Sequence, residues 1–181
     1  PLTELYVLEL SSFQLETTSS LDAAAATMLN VSQDHLDRYD GMESYAAAKA
    51  RIFIGTGAQV LNRDDEWSMG MQLSGRGLRT FGLGIPDDDS AWGVTSSGGR
   101  AWLAHGHLPL MPVGELGVPG LHNAANALAA MALCHEVGIA MEPMLDALRA
   151  FKGLPHRMQP VAERDSIVFY DDSKGTNVGA T

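Results

Sequence analysis

"AAAATMLNVSQDHLDRYDGMESYAAAKARIFIGTGAQVLN", residues 23–62, is the stretch that decides the fold of this chain. Its alanine-rich opening, residues 23–31, has helical propensity, but it is short and ends at a polar cluster, which favours a buried strand. Residues 42–53 are typical of a helix, and residues 58–62 are typical of a short buried strand. This order predicts two parallel strands connected by a helix.

The remaining segments continue the alternation of strands and helices. A buried strand is predicted at residues 3–10, further strands at 79–84 and 166–170, an antiparallel hairpin at 91–106, a helix that begins at 64–67, and helices at 120–138 and 141–153. The chain is therefore predicted to be an α/β protein whose mainly parallel sheet is covered by helices and has a small antiparallel hairpin region. Gly153-Leu154-Pro155 predicts a domain boundary near residue 153. His105 and His107, at the end of the hairpin, are interpreted as surface residues.

Composition limits the possible partners. The chain has 181 residues, 12 of them basic and 22 acidic, and a net charge of −10. This balance argues against binding to nucleic acids or to anionic membranes. Cys134 is the only cysteine, which excludes an internal disulfide and fits a cytoplasmic protein. The sequence begins at Pro1 without a methionine and ends at "GTNVGAT" without a closing element, so we expect a piece of a longer protein.

Polar side chains gather where predicted strands end, the place at which parallel sheets bind ligands. Glu9 and Ser11 lie at the end of the first strand, Asp34 and His35 follow the second, and residues 171–174 follow the last. A carboxylate such as Glu9 needs a cation or strong donors when it leaves water. It is either a solvated or helix-capping group or an oxygen ligand for a hard cation such as Mg²⁺. The loop that holds Asp34 likewise caps a helix or binds a ligand.

Lys49 lies in the middle of an apolar helix face, and Arg51 points away from that face. At about 100° per residue, the apolar members of the face are Met42, Tyr45, Ile52 and Phe53. Either the lysine stem packs there while its ammonium reaches water, or the amine is partly buried and loses its proton readily. In the second case Lys49 is a catalytic candidate.

Three more polar motifs lie in the second half of the chain. Asn123 and Asn126 occupy the first turns of the helix at 120–138, where they cap the helix or hold a nucleotide. Arg157 in "GLPHR" is suited to a phosphate or a carboxylate. Lys174 lies in a loop that resembles a phosphate-binding turn but lacks the GxxxxGK[ST] spacing.

Six stretches occur in an order and at spacings that resemble the Mur ligases of bacterial cell-wall synthesis. They are "ELSSFQLE" (9–16), "NVSQDHLDRY" (30–39), "YAAAKARIF" (45–53), "LHNAANALAA" (121–130), "GLPHRM" (153–158) and "DDSKGTNVGAT" (171–181). The resemblance covers nearly the whole chain except residues 63–115. Within the family it is strongest to the ligases that add D-glutamate.

The resemblance implies a domain organisation. Mur ligases have a domain for the UDP end of the substrate, a central ATPase domain and a C-terminal Rossmann-like domain. Residues 1–152 would belong to the central domain beyond its Gly-rich P-loop, and residues 153–181 would begin the C-terminal domain. The P-loop would precede Pro1, so we expect this chain to be inactive alone.

The resemblance also implies roles for the candidate residues. Glu9, His35 and Lys49 would be catalytic: the first two would ligate Mg²⁺, and Lys49, carbamylated by CO₂, would help to hold a second Mg²⁺. The residues implied to contact the UDP-sugar or amino-acid substrate are Ser11, Gln14, Asp34, Lys174 and Thr176. Those implied to bind ATP are Asn123, Asn126, Arg157 and Asp172.

The implied activity is ATP-dependent joining of D-glutamate to UDP-N-acetylmuramoyl-L-alanine through an acyl phosphate, in cytoplasmic peptidoglycan synthesis. A sister ligase that adds another amino acid or acts on folate would share Glu9, His35 and Lys49. A non-catalytic nucleotide-binding or interaction module is an alternative of another class. A metal-dependent hydrolase built on Glu9, Asp34 and His35 is a third alternative.

Overall fold

The computed structural model describes residues 4–175, which contain a six-stranded sheet and a separate two-stranded sheet. The strands of the large sheet, in both chain and spatial order, are β1 (Ala25–Met28), β2 (Ala58–Asn62), β3 (Leu78–Phe81), β4 (Trp92–Ser97), β5 (Arg100–His105) and β6 (Leu108–Pro112). Strands β1 to β4 are parallel, and β4, β5 and β6 pair antiparallel. The predicted α/β class with a mainly parallel sheet and an antiparallel hairpin region is confirmed.

The helices of the described residues lie between and after these strands. They are α1 (Ser12–Thr17), α2 (Met42–Ala50), α3 (Glu66–Met69), α4 (Leu121–Glu136) and α5 (Met141–Ala150), with 3-10 turns at Arg51–Phe53 and Val113–Glu115. The small sheet is an antiparallel hairpin of β7 (Gln159–Arg164) and β8 (Ile167–Asp171). Within residues 4–175, every helix is too short or too polar to cross a membrane.

The β1–α2–β2 unit forms as residues 23–62 predict, and Ala25 pairs with Ala58 in parallel register. The chain enters β2 very close to β1, because a Cβ on Gly57 would lie 1.9 Å from the carbonyl oxygen of Ala23. This distance is far inside van der Waals contact, so any side chain at this position would push the two strands apart.

Helices cover both faces of the large sheet. On one face, α4 and α5 pack on a buried cluster that includes Val60, Phe81 and Leu128. On the other face, α2 and α3 pack on a cluster that includes Leu61 and Tyr45. Val60 and Leu61 are neighbours in β2, and the alternation of a strand sends one to each face. Burial of a side chain such as Leu128 contributes roughly 1.5–3 kcal/mol, which fixes α4 on the sheet.

The strand predicted at residues 3–10 does not form in the described residues 4–10. Val7 is 89% exposed and Leu8 is 60% exposed, so this apolar run is not part of the described core. Strand β1 is the edge of the described sheet, and no described strand pairs with the run. Because burial of a strand depends on a neighbour, apolar composition alone misleads here. Glu9 therefore lies on an exposed segment rather than at the end of a buried strand.

Three elements have no counterpart in the sequence prediction: α1, β6 and β7. Helix α1 begins with a capping box, in which Ser11 Oγ accepts from the Gln14 N–H at 3.3 Å and Gln14 Oε1 accepts from the Ser11 N–H at 2.9 Å. Strand β6 contains Pro109 and Pro112, which an edge strand tolerates. Strand β7 is exposed throughout, so no buried face distinguishes it.

The interpretation of His105 as a surface residue is wrong, whereas His107 is exposed as expected. The half-buried His105 ring stacks on Trp92 with ring centroids 4.1 Å apart and meets the His135 ring at 5.0 Å. Burial lowers the pKa of His105, and the positive charges of His135 and Arg79 lower it further. The contact with His135 comes from the end of α4, which is distant in sequence.

We expect the His105→Phe variant to lose part of the acid sensitivity of the folded chain. Because the pKa of His105 is lowered by folding, the unfolded chain binds this proton first as the pH falls below about 6.5. The free energy of unfolding, measured in urea, should therefore drop more between about pH 7.5 and pH 5.5 in the wild type than in the variant.

The matched control is His107→Phe, which removes the exposed histidine and should keep the wild-type pH dependence. If His105→Phe and the wild type lose the same free energy of unfolding over this pH interval, the titration of His105 does not contribute to it.

Candidate functional site

Lys49 is half-buried on α2, as its helical spacing predicts. Tyr45, one turn earlier, is buried, and its ring centroid lies 5.3 Å from Lys49 Nζ. Burial lowers the pKa of Lys49, while the carboxylates of Asp34 and Glu9 act in the opposite direction. Three segments that are distant in sequence therefore meet at this amine. We call Glu9, Asp34, His35 and Lys49 the lysine site.

His35 belongs to the lysine site through Asp34 and Tyr45. Its backbone N–H donates to Asp34 Oδ1 at 2.9 Å, and its Nε2 lies 3.6 Å from Asp34 Oδ2. The ring packs near Phe13 and Tyr45, with centroids 4.9 Å and 6.2 Å away. His35 has a φ of 53°, a left-handed conformation that is uncommon outside glycine. The Asp34 side chain stabilises this turn and thereby orients the imidazole.

Ser11 and Gln14, the predicted substrate contacts, lie exposed at the start of α1. In addition to the capping box, Ser11 Oγ donates to Gln14 Oε1 at 3.0 Å. Both oxygens are therefore engaged in the helix cap. Within residues 4–175 the amide nitrogen of Gln14 has no hydrogen-bond partner, and it is the group best placed to contact a ligand.

The side chains of the lysine site do not form a complete metal site by themselves. No three His, Cys, Asp or Glu side chains in residues 4–175 converge closely enough to hold a metal ion. In nucleotide sites, however, Mg²⁺ takes one or two carboxylates and fills its other positions with water and phosphate. A Mg²⁺ bound by Glu9 or His35 would therefore need phosphate or water to complete its coordination.

A second group of predicted residues lines one cleft of about 990 Å³, which we call the α4 cleft. Helices α4 and α5 and the segments that flank them form its walls. The predicted residues that line it are Asn123, Asn126, Arg157 and Asp172. All four residues for which the motifs imply ATP binding thus meet in one cleft, whose volume is at the upper end for small-molecule sites.

The polar side chains of the α4 cleft differ in the hydrogen bonds that they make to other described residues. Asn123 Nδ2 donates to the carbonyl oxygen of Pro119 at 2.7 Å, which closes the turn before α4. Asn126 is exposed, and its side chain makes no hydrogen bond to another described residue. Asp172 Oδ1 accepts from the Met158 N–H at 3.1 Å, but its buried Oδ2 has no partner in residues 4–175. An unpaired buried acceptor costs about 1–3 kcal/mol, so a ligand donor there would be favourable.

His156 and Asp171 tie the loop that holds Arg157 to the end of β8. His156 Nδ1 lies 2.7 Å from Asp171 Oδ2. Hydrogen bonds from His156 and then from Ser173 lower the pKa of Asp171 to about 2. The Lys174 N–H also donates to the carbonyl oxygen of His156 at 3.1 Å. Arg157 and the residues after β8 are therefore held together.

Other predicted residues do not gather in these two places. Lys174 is exposed and does not line the α4 cleft. Thr176 lies outside the described residues, and its role stays a prediction. Phe13 and His156 have no predicted role, although they lie inside the motifs "ELSSFQLE" and "GLPHRM", respectively. The position of each residue inside its motif is the sequence signal that could have identified it.

The sequence profile of the Mur ligase middle domain matches residues 2–134, which is more than half of the chain. The chain belongs to the Mur ligase family. The match includes the whole lysine site and nearly all of α4, with Asn123 and Asn126, whereas Arg157 and Asp172 lie beyond the matched residues.

A named relative agrees with this membership, and solved structures share the fold. The UDP-N-acetylmuramoylalanine--D-glutamate ligase of Methylobacillus flagellatus is 61% identical over 178 residues, which are 98% of this chain and 39% of that protein.

The structure of UDP-N-acetylmuramate-alanine ligase from Thermotoga maritima is 25% identical, with a TM-score of 0.62, and the match covers 90% of this chain and 36% of that one. A folylpolyglutamate synthase/dihydrofolate synthase from Yersinia pestis, solved with AMPPNP and a Mn ion, is 24% identical, with a TM-score of 0.56 over 84% of this chain and 35% of that one. The chain thus spans about 39% of the length of the curated relative.

We expect the pKa of Lys49 to lie below the ordinary lysine value of about 10.4 and to fall further in the Asp34→Asn variant. The reason is that burial disfavours the ammonium, and the Asp34 carboxylate partly offsets this effect. Lysines methylated with carbon-13 can be titrated by NMR, and Lys49→Arg assigns the signal among the three lysines of the chain.

Asp37→Asn is the matched control, because Asp37 is an exposed acid of the same loop. It should leave the Lys49 titration unchanged. An ordinary pKa for Lys49, or the same pKa in the wild type and in Asp34→Asn, would contradict the described geometry of the lysine site.

Proposed function

We propose that this chain is the nucleotide-binding and catalytic part of a cytoplasmic ligase that uses ATP to join D-glutamate to UDP-N-acetylmuramoyl-L-alanine in peptidoglycan synthesis. The observation that carries the proposal is the 61% identity, over nearly the whole chain, to a protein named as a UDP-N-acetylmuramoylalanine--D-glutamate ligase. The reaction is proposed for the whole protein, because the chain covers 39% of that relative.

In the proposed reaction, the carboxylate of the L-alanyl substrate attacks the γ-phosphorus of ATP, which gives an acyl phosphate and ADP. The amine of D-glutamate then attacks the acyl carbon. A tetrahedral intermediate forms, the amine loses a proton, and inorganic phosphate leaves as the amide bond is completed. Because charge moves between phosphate oxygens in both steps, catalysis would depend mainly on positioning and on positive charge near those oxygens.

ATP would bind in the α4 cleft. The guanidinium of Arg157 is suited to grip a phosphate with two parallel hydrogen bonds. Asn126 would offer an amide, and the unpaired Asp172 Oδ2 would accept a hydrogen bond from a hydroxyl or amino group of the nucleotide. Asn123 would help by closing the turn at the start of α4. The solved relative with AMPPNP, an ATP analogue, and a Mn ion supports a nucleotide and a divalent metal in this fold.

The lysine site would serve the transferring phosphoryl group. Glu9 and His35 would hold Mg²⁺ together with phosphate oxygens, and the bound metal supplies positive charge there. The burial of Lys49 favours a neutral amine, the form that reacts with CO₂, and the resulting carbamate would offer a further oxygen ligand for a second Mg²⁺. The residues that would contact the UDP-sugar or amino-acid substrate are Ser11, Gln14, Asp34, Lys174 and Thr176.

The domain boundary is part of the same proposal. Residues 1–152 would belong to the central ATPase domain and residues 153–181 to the start of a C-terminal domain. Two observations support this division: β7 and β8 form their own sheet, and Gly153 has a φ of 87°, a turn conformation that favours glycine.

We expect the whole protein to release phosphate from ATP in the presence of UDP-N-acetylmuramoyl-L-alanine only when D-glutamate is added. The reason is that turnover of the acyl phosphate requires the amine of the second substrate. Parallel reactions with L-alanine, with L-lysine and without any amino acid are the controls.

Each other outcome favours a different function. Release that depends on another amino acid would indicate a sister ligase, whose nucleotide and metal residues are the same. Absence of release with every amino acid would favour a nucleotide-binding module without catalysis.

We expect the 181-residue chain alone to release no more phosphate than its Glu9→Gln variant. The chain contains no GxxxxGK[ST] loop, and such a loop provides the backbone N–H groups and the lysine that hold the β- and γ-phosphates. The assay is phosphate release from ATP with Mg²⁺ at equal protein concentrations. ATP hydrolysis by the wild-type chain above that of Glu9→Gln would refute the expectation.

A further inference from the structure

Arg51 connects the two helices next to the lysine site. Its Nε donates to the carbonyl oxygen of Leu15 at 2.7 Å, and its Nη2 donates to the carbonyl oxygen of Thr18 at 2.7 Å. Both carbonyls lie at the end of α1, whereas Arg51 directly follows α2. A guanidinium is planar and presents its donors in a fixed fork, so two acceptors define the placement of one helix against the other.

Helix α1 depends on such an anchor because it is short. With 6 residues it is too short to be stable in isolation. Leu15 is buried under it. Its Glu16 also pairs with Arg38, but that pair lies at the surface, where ion pairs contribute little. The half-buried Arg51 is therefore the stronger polar link between α1 and the rest of the domain.

The start of α1 is the part that matters for the candidate site. Ser11 is its N-cap, and Glu9 lies two residues earlier. Lys49, in the last turn of α2, is separated from Arg51 by one residue. A displacement of α1 relative to α2 would therefore move Glu9, whose carboxylate acts on the Lys49 amine, away from Lys49.

We propose that Arg51 is a positioning residue for the ligase reaction: its fork holds α1 on α2 and thereby keeps Glu9 near Lys49. The catalytic half of this inference rests on the proposed function. The anchoring of α1 is a property of the fold and can be tested without any activity.

The activity test compares Arg51→Ala and Arg51→Lys in the whole protein, with Arg38→Ala as the matched control that removes the surface pair with Glu16 and the contact of Arg38 with the Phe13 ring, 4.9 Å from its centroid. We expect kcat to fall at least about tenfold in Arg51→Ala and less in Arg51→Lys, which retains the charge. KM for ATP should stay within about twofold, because none of the described α1 residues lines the α4 cleft. Methylguanidinium should restore part of kcat to Arg51→Ala, and Arg38→Ala should resemble the wild type.

The anchoring test measures hydrogen exchange in the 181-residue chain. In Arg51→Ala the amides of α1 should exchange faster, while those of the core helix α4 should keep their wild-type protection. Protection of α4 distinguishes loss of the anchor from loss of the fold. If α4 also loses protection in Arg51→Ala, the hydrogen exchange of α1 and of α4 is compared between Arg51→Lys and the wild type instead.

The outcomes separate the two halves of the inference. Unchanged exchange in α1 overturns the anchor. Faster exchange in α1 with wild-type kcat, or an equal fall of kcat in Arg38→Ala, overturns the positioning role. If the wild-type protein shows no amino-acid-dependent phosphate release, the proposed ligase function and the positioning role fail together, and hydrogen exchange alone decides the anchor.

Discussion

The half-buried ammonium of Lys49 is the constraint around which one end of this domain is organised. The apolar face of α2, with the buried Tyr45, removes water from the amine and lowers the pKa of Lys49. A charge in such surroundings is tolerated when opposite charges lie nearby. Asp34 and Glu9 supply those charges from two other segments. The loop after β1 and the segment before α1 are therefore tied to α2 electrostatically as well as by packing.

Helix α4 joins the core to the second candidate site. Ala124 and Leu128 are buried against the sheet, while Asn123 and Asn126 line the α4 cleft. Residues three or four apart lie on the same face of a helix. The two buried residues and the two asparagines therefore lie on different faces of the first half of α4. The amide groups at the cleft are consequently held by a helix whose position is fixed by core packing, and a ligand would meet largely preformed groups.

Local sequence patterns predict the elements whose determinants lie within the segment itself. The β1–α2–β2 unit, the hairpin turn at Gly98 and Gly99, both with positive φ, and helix α4 follow from periodicity and turn chemistry. The same patterns fail where burial is decided by a distant partner. The apolar residues 5–8 are exposed, and His105 is half-buried because α4 brings His135 onto it. Neither outcome is encoded in the segment alone.

The residues of the candidate sites also differ in whether the sequence alone can predict them. Lys49 and Asn126 occupy places that helical spacing marks, so they can be proposed from the sequence. Their supporting residues act over long separations: Arg51 reaches carbonyls 36 and 33 residues away, and His156 pairs with Asp171 across 15 residues. Arg51 binds backbone carbonyl groups, and every residue has one. The sequence therefore does not show which residues are its partners. The groups that would face a ligand are thus accessible to sequence reasoning, whereas the groups that hold them in place become visible only in the folded chain.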